Sequence, residues 1–237
     1  MYDSSASLVA RGVDVCEEYT VALAIEDFVP VVLAGAALII TARAAGRRVP
    51  KVFPVALIGA LVVTAGGLGK ATWKILVASG CWEHPILEQL LFPCLAFGFS
   101  ALAWALLSAR RGSVLPGWPF AVFPVGAAIG ALWMGENWPL LIAAAVSATV
   151  LGVTAAVMAF SAGKPSVGAL FVVYVLGTNI LPPLAAQPEQ SAELQWMEQL
   201  TNSAVQLCFL LGALWLREHL SKRADEDSAV ERRGVTT

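Results

Sequence analysis

Apolar residues gather along this chain in seven runs, at 19–42, 53–77, 86–108, 117–134, 139–161, 166–185 and 195–216. A bilayer core about 30 Å thick takes roughly 20 residues of helix at about 1.5 Å rise each. Each run therefore predicts one spanning helix. The breaks between runs carry turn chemistry: Gly46-Arg47-Arg48-Val49-Pro50, Ser79-Gly80, Arg111-Gly112-Ser113, Gly135-Glu136-Asn137, Gly163-Lys164-Pro165 and Gln187-Pro188-Glu189. The expected fold class is all-α, a polytopic membrane protein of seven transmembrane helices. Residues 1–18 form a short extracytoplasmic N-terminus, 19–217 the transmembrane domain and 218–237 a disordered cytoplasmic tail. Met1 to Asp14 lacks the basic and apolar regions of a signal peptide.

Composition agrees with the pattern. Of 237 residues, 58% are hydrophobic and 14% charged, against about 45–50% and about 25% in soluble domains. Mean hydropathy is +0.73, which excludes intrinsic disorder of the whole chain. A net charge of −2 gives no general attraction to nucleic-acid phosphates.

Lys and Arg set the orientation. Arg43, Arg47, Arg48, Lys51, Arg110, Arg111, Lys164, Arg217, Lys222, Arg223, Arg232 and Arg233 fall on one side of the alternating spans, and Arg11 alone falls on the other. The N-terminus is thus expected outside and the C-terminus in the cytoplasm, in the plasma membrane. Trp82, Trp133 and Trp138 fit an outer interfacial belt, as does Trp73; Trp104, Trp118 and Trp215 fit an inner one.

Several chemistries lack their residues. Neither histidine, His84 nor His219, lies within a span, so bis-histidine haem and a buried multi-histidine zinc site are not expected. Asp27 is the one aspartate in a span, too few for an aspartyl dyad. No Cys-x-x-Cys pair occurs. An enzyme is the minority expectation, and no cofactor or metal is expected. Cys16 and Cys81 both fall on the outer, oxidising side and are candidates for a disulfide. Cys94 and Cys208 read as small core residues.

Ionisable residues inside spans are costly and mark interiors or water-filled cavities. Here they are Glu26 and Asp27, Lys70 and Lys74, Glu88, and Glu198. Counting up from the basic residue at the far end of each span puts Glu26, Lys70 and Glu198 all roughly 25–28 Å away. They form one layer in the outer part of the bilayer. Glu198, Asn202 and Gln206 recur at i, i+4, i+8 along one helix face, and Trp73 and Asn179 lie at similar depth. Pro30, Pro93 and the Pro182-Pro183 pair coincide with this layer. Each removes a helical hydrogen bond and predicts a kink. Broken helices next to polar side chains are typical of transporter sites.

Leu87-Glu88-Gln89-Leu90 at the start of span three has a counterpart in Met197-Glu198-Gln199-Leu200 at the start of span seven. This suggests a 3+1+3 repeat, two three-span units joined by span four. The functional expectation is a carrier with an outward-facing polar pocket. Lys70 would take an anionic group, and Glu26, Asp27 and Glu198 a cationic group or proton. The ligand would be a small polar or zwitterionic solute. A ligand-binding sensor, receptor or accessory subunit is the alternative, and an outer-leaflet lipid-modifying enzyme is a third. Expected partners are the lipid bilayer and the solute, with a homo-oligomer or membrane partner left open.

Overall fold

A computed structural model describes residues 20–82, 84–185 and 192–234. They are helical, with no strand among the described residues. The helices are α1 (Val21–Glu26), α2 (Phe28–Arg48), α3 (Phe53–Gly80), α4 (Pro85–Gln89), α5 (Leu91–Arg111), α6 (Trp118–Met134), α7 (Trp138–Ser161), α8 (Pro165–Ala185) and α9 (Ala192–Gly234). A 3-10 turn over Pro50–Val52 links α2 to α3. These fall on the seven predicted runs, with α1 and α2 sharing the first and α4 and α5 the third.

Prolines and glycines place the ends. Proline lies in the first two positions of α3, α4, α6 and α7, where its missing N–H has no intrahelical acceptor to lose. Gly112 and Gly135 cap α5 and α6 at φ +80° and +71°, the left-handed conformation that glycine adopts without steric penalty. Cys81 caps α3 in the same region at φ +54° and is the one non-glycine there among the described residues.

Five helical segments are long and apolar enough to cross a membrane: Val21–Arg48, Pro50–Gly80, Pro85–Arg111, Trp138–Ser161 and Glu193–Val230. Two shorter apolar helices, Trp118–Met134 and Pro165–Leu181, accompany them. The surface they present is apolar as well. Leu132 and Trp133 on α6 are 86% and 85% exposed, and Val32, Ile58 and Ile180 are also exposed. A water-soluble monomer rarely shows contiguous apolar area on this scale. The architecture is compatible with an integral membrane protein.

The helices close into a ring in the order α2, α3, α5, α7, α8, α9 and back to α2. α6 stands outside it, packed on α5 and α7. The core between them contains Leu38, Leu106, Leu151, Phe171 and Phe209, all essentially inaccessible. Tyr174 stacks on Phe209 with ring centroids 4.2 Å apart. Close approach depends on small residues, as in membrane helix pairs generally. A Cβ on Gly59 would lie 2.8 Å from the Gly98 carbonyl oxygen, and one on Gly98 would lie 2.4 Å from Val63 and 2.6 Å from the Gly59 carbonyl oxygen. α3 and α5 thus meet backbone to backbone.

Within the tail expected to be disordered, residues 218–234 are helical, since α9 runs on to Gly234. At 43 residues α9 is about 65 Å long, roughly twice a bilayer core. Its apolar part ends at Leu216. Leu220, one turn further, is still fully buried. Arg48 on α2 donates to Asp227 at 3.1 Å and to the Arg110 carbonyl at 3.2 Å, and Arg47 donates to Ser221 at 2.7 Å. These contacts hold the extension against the basic ends of α2 and α5, which the composition of residues 218–237 alone did not reveal.

His219 lies in this extension, stacked on Trp215 with centroids 4.8 Å apart. Burial lowers its pKa below the usual histidine value. Arg223, Arg48 and Lys222 lower it further, against a small opposing effect of Glu226. The folded chain therefore binds this proton less readily than the unfolded chain. The contribution to stability is complete above about pH 6.5 and is lost as pH falls below it. Melting of detergent-purified protein between about pH 7.5 and about pH 5.5 should show a larger fall for wild type than for His219→Gln. Equal falls would mean that His219 is not the group responsible.

Candidate functional site

The charged layer is assembled by two helix breaks. Pro30 has no N–H to donate to the Glu26 carbonyl, and the helix is interrupted at Asp27, between α1 and α2. Pro93 does the same for Gln89, and the interruption falls at Leu90, between α4 and α5. Both short segments, α1 and α4, pack on α3, near the part that carries Lys70, Trp73 and Lys74. At the third expected position the helix is not interrupted: α8 runs on through Pro182-Pro183 to Ala185.

Asp27, at the first break, is the centre of the cluster. Lys74 Nζ lies 2.7 Å from Asp27 Oδ2, and the Gln199 amide of α9 donates to Asp27 Oδ1. The side chains of Lys74 and Asp27 are 12% and 13% exposed. The Ser203 hydroxyl, one turn past Gln199, donates to Glu26 Oε1 at 2.6 Å. Glu198 lies within electrostatic range of Lys74. Three helices, α1, α3 and α9, thus converge on one network.

Two acceptors in this network have no protein partner among the described residues: Glu26 Oε2 and Glu198 Oε1 are buried without a hydrogen bond there. Buried polar atoms are nearly always paired, because leaving a group desolvated without a partner costs about 1–3 kcal/mol and more for a charged one. The cluster therefore holds carboxylate oxygens in a state that favours a donor arriving from outside it.

Of the predicted residues, Glu26, Asp27, Lys74 and Glu198 are brought together. Lys70 is half-buried on α3, one turn before Lys74. Trp73 is 5% exposed and packs with Val77 under Leu87 of α4, so it supports the break rather than lining an interfacial belt. Glu88 is half-buried on α4. Asn179 is turned away from the cluster: it is exposed and donates to Thr149 of α7 at 2.9 Å and to the Val175 carbonyl at 2.8 Å. Asn202 and Gln206 bond to each other at 3.2 Å. Cys16 lies outside the described residues, and with it the expected Cys16–Cys81 bridge. Cys94 and Cys208 are free thiols.

Sequence reasoning missed Gln199 and Ser203. The stripe it selected, Glu198–Asn202–Gln206, is one residue out of phase with the stripe that is most buried, Gln195–Gln199–Ser203. Gln195 and Gln199 are 5% and 9% exposed. Steps of three or four back from the buried Phe209 reach Gln206, Asn202 and Glu198 as readily as Val205 and Gln199, so the sequence carried no signal for the phase.

No protein-family model, curated protein or solved structure matches this chain.

Proposed function

We propose that this chain is a seven-span plasma-membrane protein, N-terminus outside and C-terminus in the cytoplasm. Its Glu26–Asp27–Lys74–Glu198 cluster is the outward-facing site of a carrier for a small zwitterionic solute. The orientation rests on the charge asymmetry of the loops. The ends of α2, α5 and α9 that carry these basic residues are joined through Arg47 and Arg48. The ring order also supports a 3+1+3 repeat. The α5–α7 contact is the repeat equivalent of the α9–α2 contact, and α6 is the linker between the units.

The observation that carries the function is the pair of unpartnered buried oxygens, Glu26 Oε2 and Glu198 Oε1, beside a closed Asp27–Lys74 pair. A purely structural ion pair has no need of unsatisfied acceptors around it. An incoming carboxylate exchanges for Asp27 at Lys74. The solute's ammonium then finds Asp27, Glu26 and Glu198 as acceptors. α1 carries Glu26 and adjoins the break at Asp27, so a tilt of this six-residue segment opens and closes the site. Solute enters with exchange of one ion pair for two, so it brings no uncompensated charge of its own into the apolar layer.

The test is uptake into proteoliposomes of radiolabelled alanine and γ-aminobutyrate, with lactate and propylamine as anionic and cationic controls. A zwitterion is expected to accumulate ahead of both controls, and Glu26→Gln should reduce its uptake about ten-fold or more. Saturable binding without flux would assign the site to a receptor or accessory subunit. Absence of both binding and flux would remove the proposal.

A further inference from the structure

A second polar site lies at the opposite end of the bundle, between α2 and α9. A cavity of about 460 Å3 is lined by Arg47, Arg217, Glu218, Ser221, Lys222 and Asp225. That volume falls within the range of small-molecule sites, about 300–1,000 Å3. Every lining residue is polar, in a molecule that exposes many large apolar side chains. The three cations and two carboxylates leave a net charge of +1 across the lining.

We infer that this cavity binds the phosphate of an anionic phospholipid headgroup. Its depth fits. Arg217 is the first charge after the apolar stretch of α9, and Arg47 stands one residue before the end of α2, so the lining begins where hydrocarbon gives way to headgroups. Its chemistry fits as well. Among the described residues, Arg217 and Lys222 make no ion pair or side-chain hydrogen bond, and Arg47 donates only to the Ser221 hydroxyl. Neighbouring Arg48 differs, being committed to Asp227 and to the Arg110 carbonyl. That commitment ties α2, α5 and the α9 extension together and fixes the cavity wall. Two guanidinium groups and an ammonium then present uncommitted donors to one phosphate, with the bidentate geometry that arginine offers. Glu218 and Asp225 accept from headgroup hydroxyls. A zwitterionic choline headgroup neither balances the net charge nor supplies those donors. Basic pockets between spans on the cytoplasmic side are a known mode of headgroup recognition.

The experiment is thermal unfolding of the full-length protein in neutral detergent. It is titrated separately with short-chain phosphatidylglycerol, short-chain phosphatidylcholine and inorganic phosphate. Phosphatidylglycerol is expected to raise the melting temperature of wild type saturably. Arg217→Gln/Lys222→Gln should need about ten-fold more lipid for the same shift. If the double variant does not fold, Lys222→Gln alone, an exposed position, should show a smaller loss in the same direction. Equal stabilisation by phosphatidylcholine, or an unchanged titration in the variants, overturns the site. Stabilisation by inorganic phosphate at the same concentrations overturns the lipid assignment and leaves a free-phosphate site.

Discussion

Replacing Lys74 by methionine is expected to lower the melting temperature by about 6–20 °C. Removing one partner of a buried ion pair costs about 3–5 kcal/mol, and in a chain of this size each kcal/mol moves the midpoint by about 2–4 °C. The change leaves Asp27 with the Gln199 amide as its remaining partner among the described residues, and leaves Glu198 without the neighbouring Lys74 charge. Asp27→Leu combined with Lys74→Met should restore most of the stability, because an apolar pair of similar volume often replaces a buried salt bridge at little cost. The same double variant should abolish solute binding. Stability and function then separate, as they do where a site is maintained at the expense of stability. A fall of under about 2 °C for Lys74→Met would mean that water screens the pair, as at an exposed surface.

Gly98→Leu should prevent folding altogether, and Gly98→Ala should cost about 1–3 kcal/mol. Even a Cβ at this position meets Val63 at 2.4 Å and the Gly59 carbonyl at 2.6 Å, and a backbone atom cannot rotate out of the way. α3 and α5 must move apart, and α3 carries Lys70 and Lys74. Gly126→Ala is the control, since nothing lies within 4 Å of its Cβ position. It should leave the melting temperature unchanged or slightly raise it, alanine being the better helix former. Yield after size-exclusion chromatography and thermal unfolding of the three variants test this contact. A Gly98→Leu variant as stable as wild type would show that the helices are not in contact there.

Most of the helical layout could be read from apolar runs punctuated by proline and glycine. Both breaks at the site followed from Pro30 and Pro93, because the missing donor is a local property of the chain. Pro182-Pro183 shows the limit of that reasoning, since α8 continues unbroken through them. The charged half of the site was legible for the same reason that charges in spans are rare: Glu26, Asp27, Lys74 and Glu198 stand out against apolar neighbours. Their neutral partners were not. α9 carries polar residues on more than one face near its start, and only packing against α1 and α2 selects Gln199 and Ser203 over Asn202 and Gln206. Asn179 shared the depth of the cluster but not its direction, and depth is all that counting residues provides. The tail misled for a different reason. Its polar composition hides anchors that lie far away in sequence, on Arg47 and Arg48.

The central claim, an outward-facing site at the α1–α3–α9 junction, is tested most directly by side-specific labelling of Ser203→Cys. The background carries Cys16→Ala, Cys81→Ala, Cys94→Ala and Cys208→Ala, and intact cells are treated with a small membrane-impermeant cationic methanethiosulfonate. The account predicts modification from outside, faster when Asp27→Asn loosens the pair with Lys74. No modification from outside, or faster reaction from the cytoplasmic face of inverted vesicles, would contradict it.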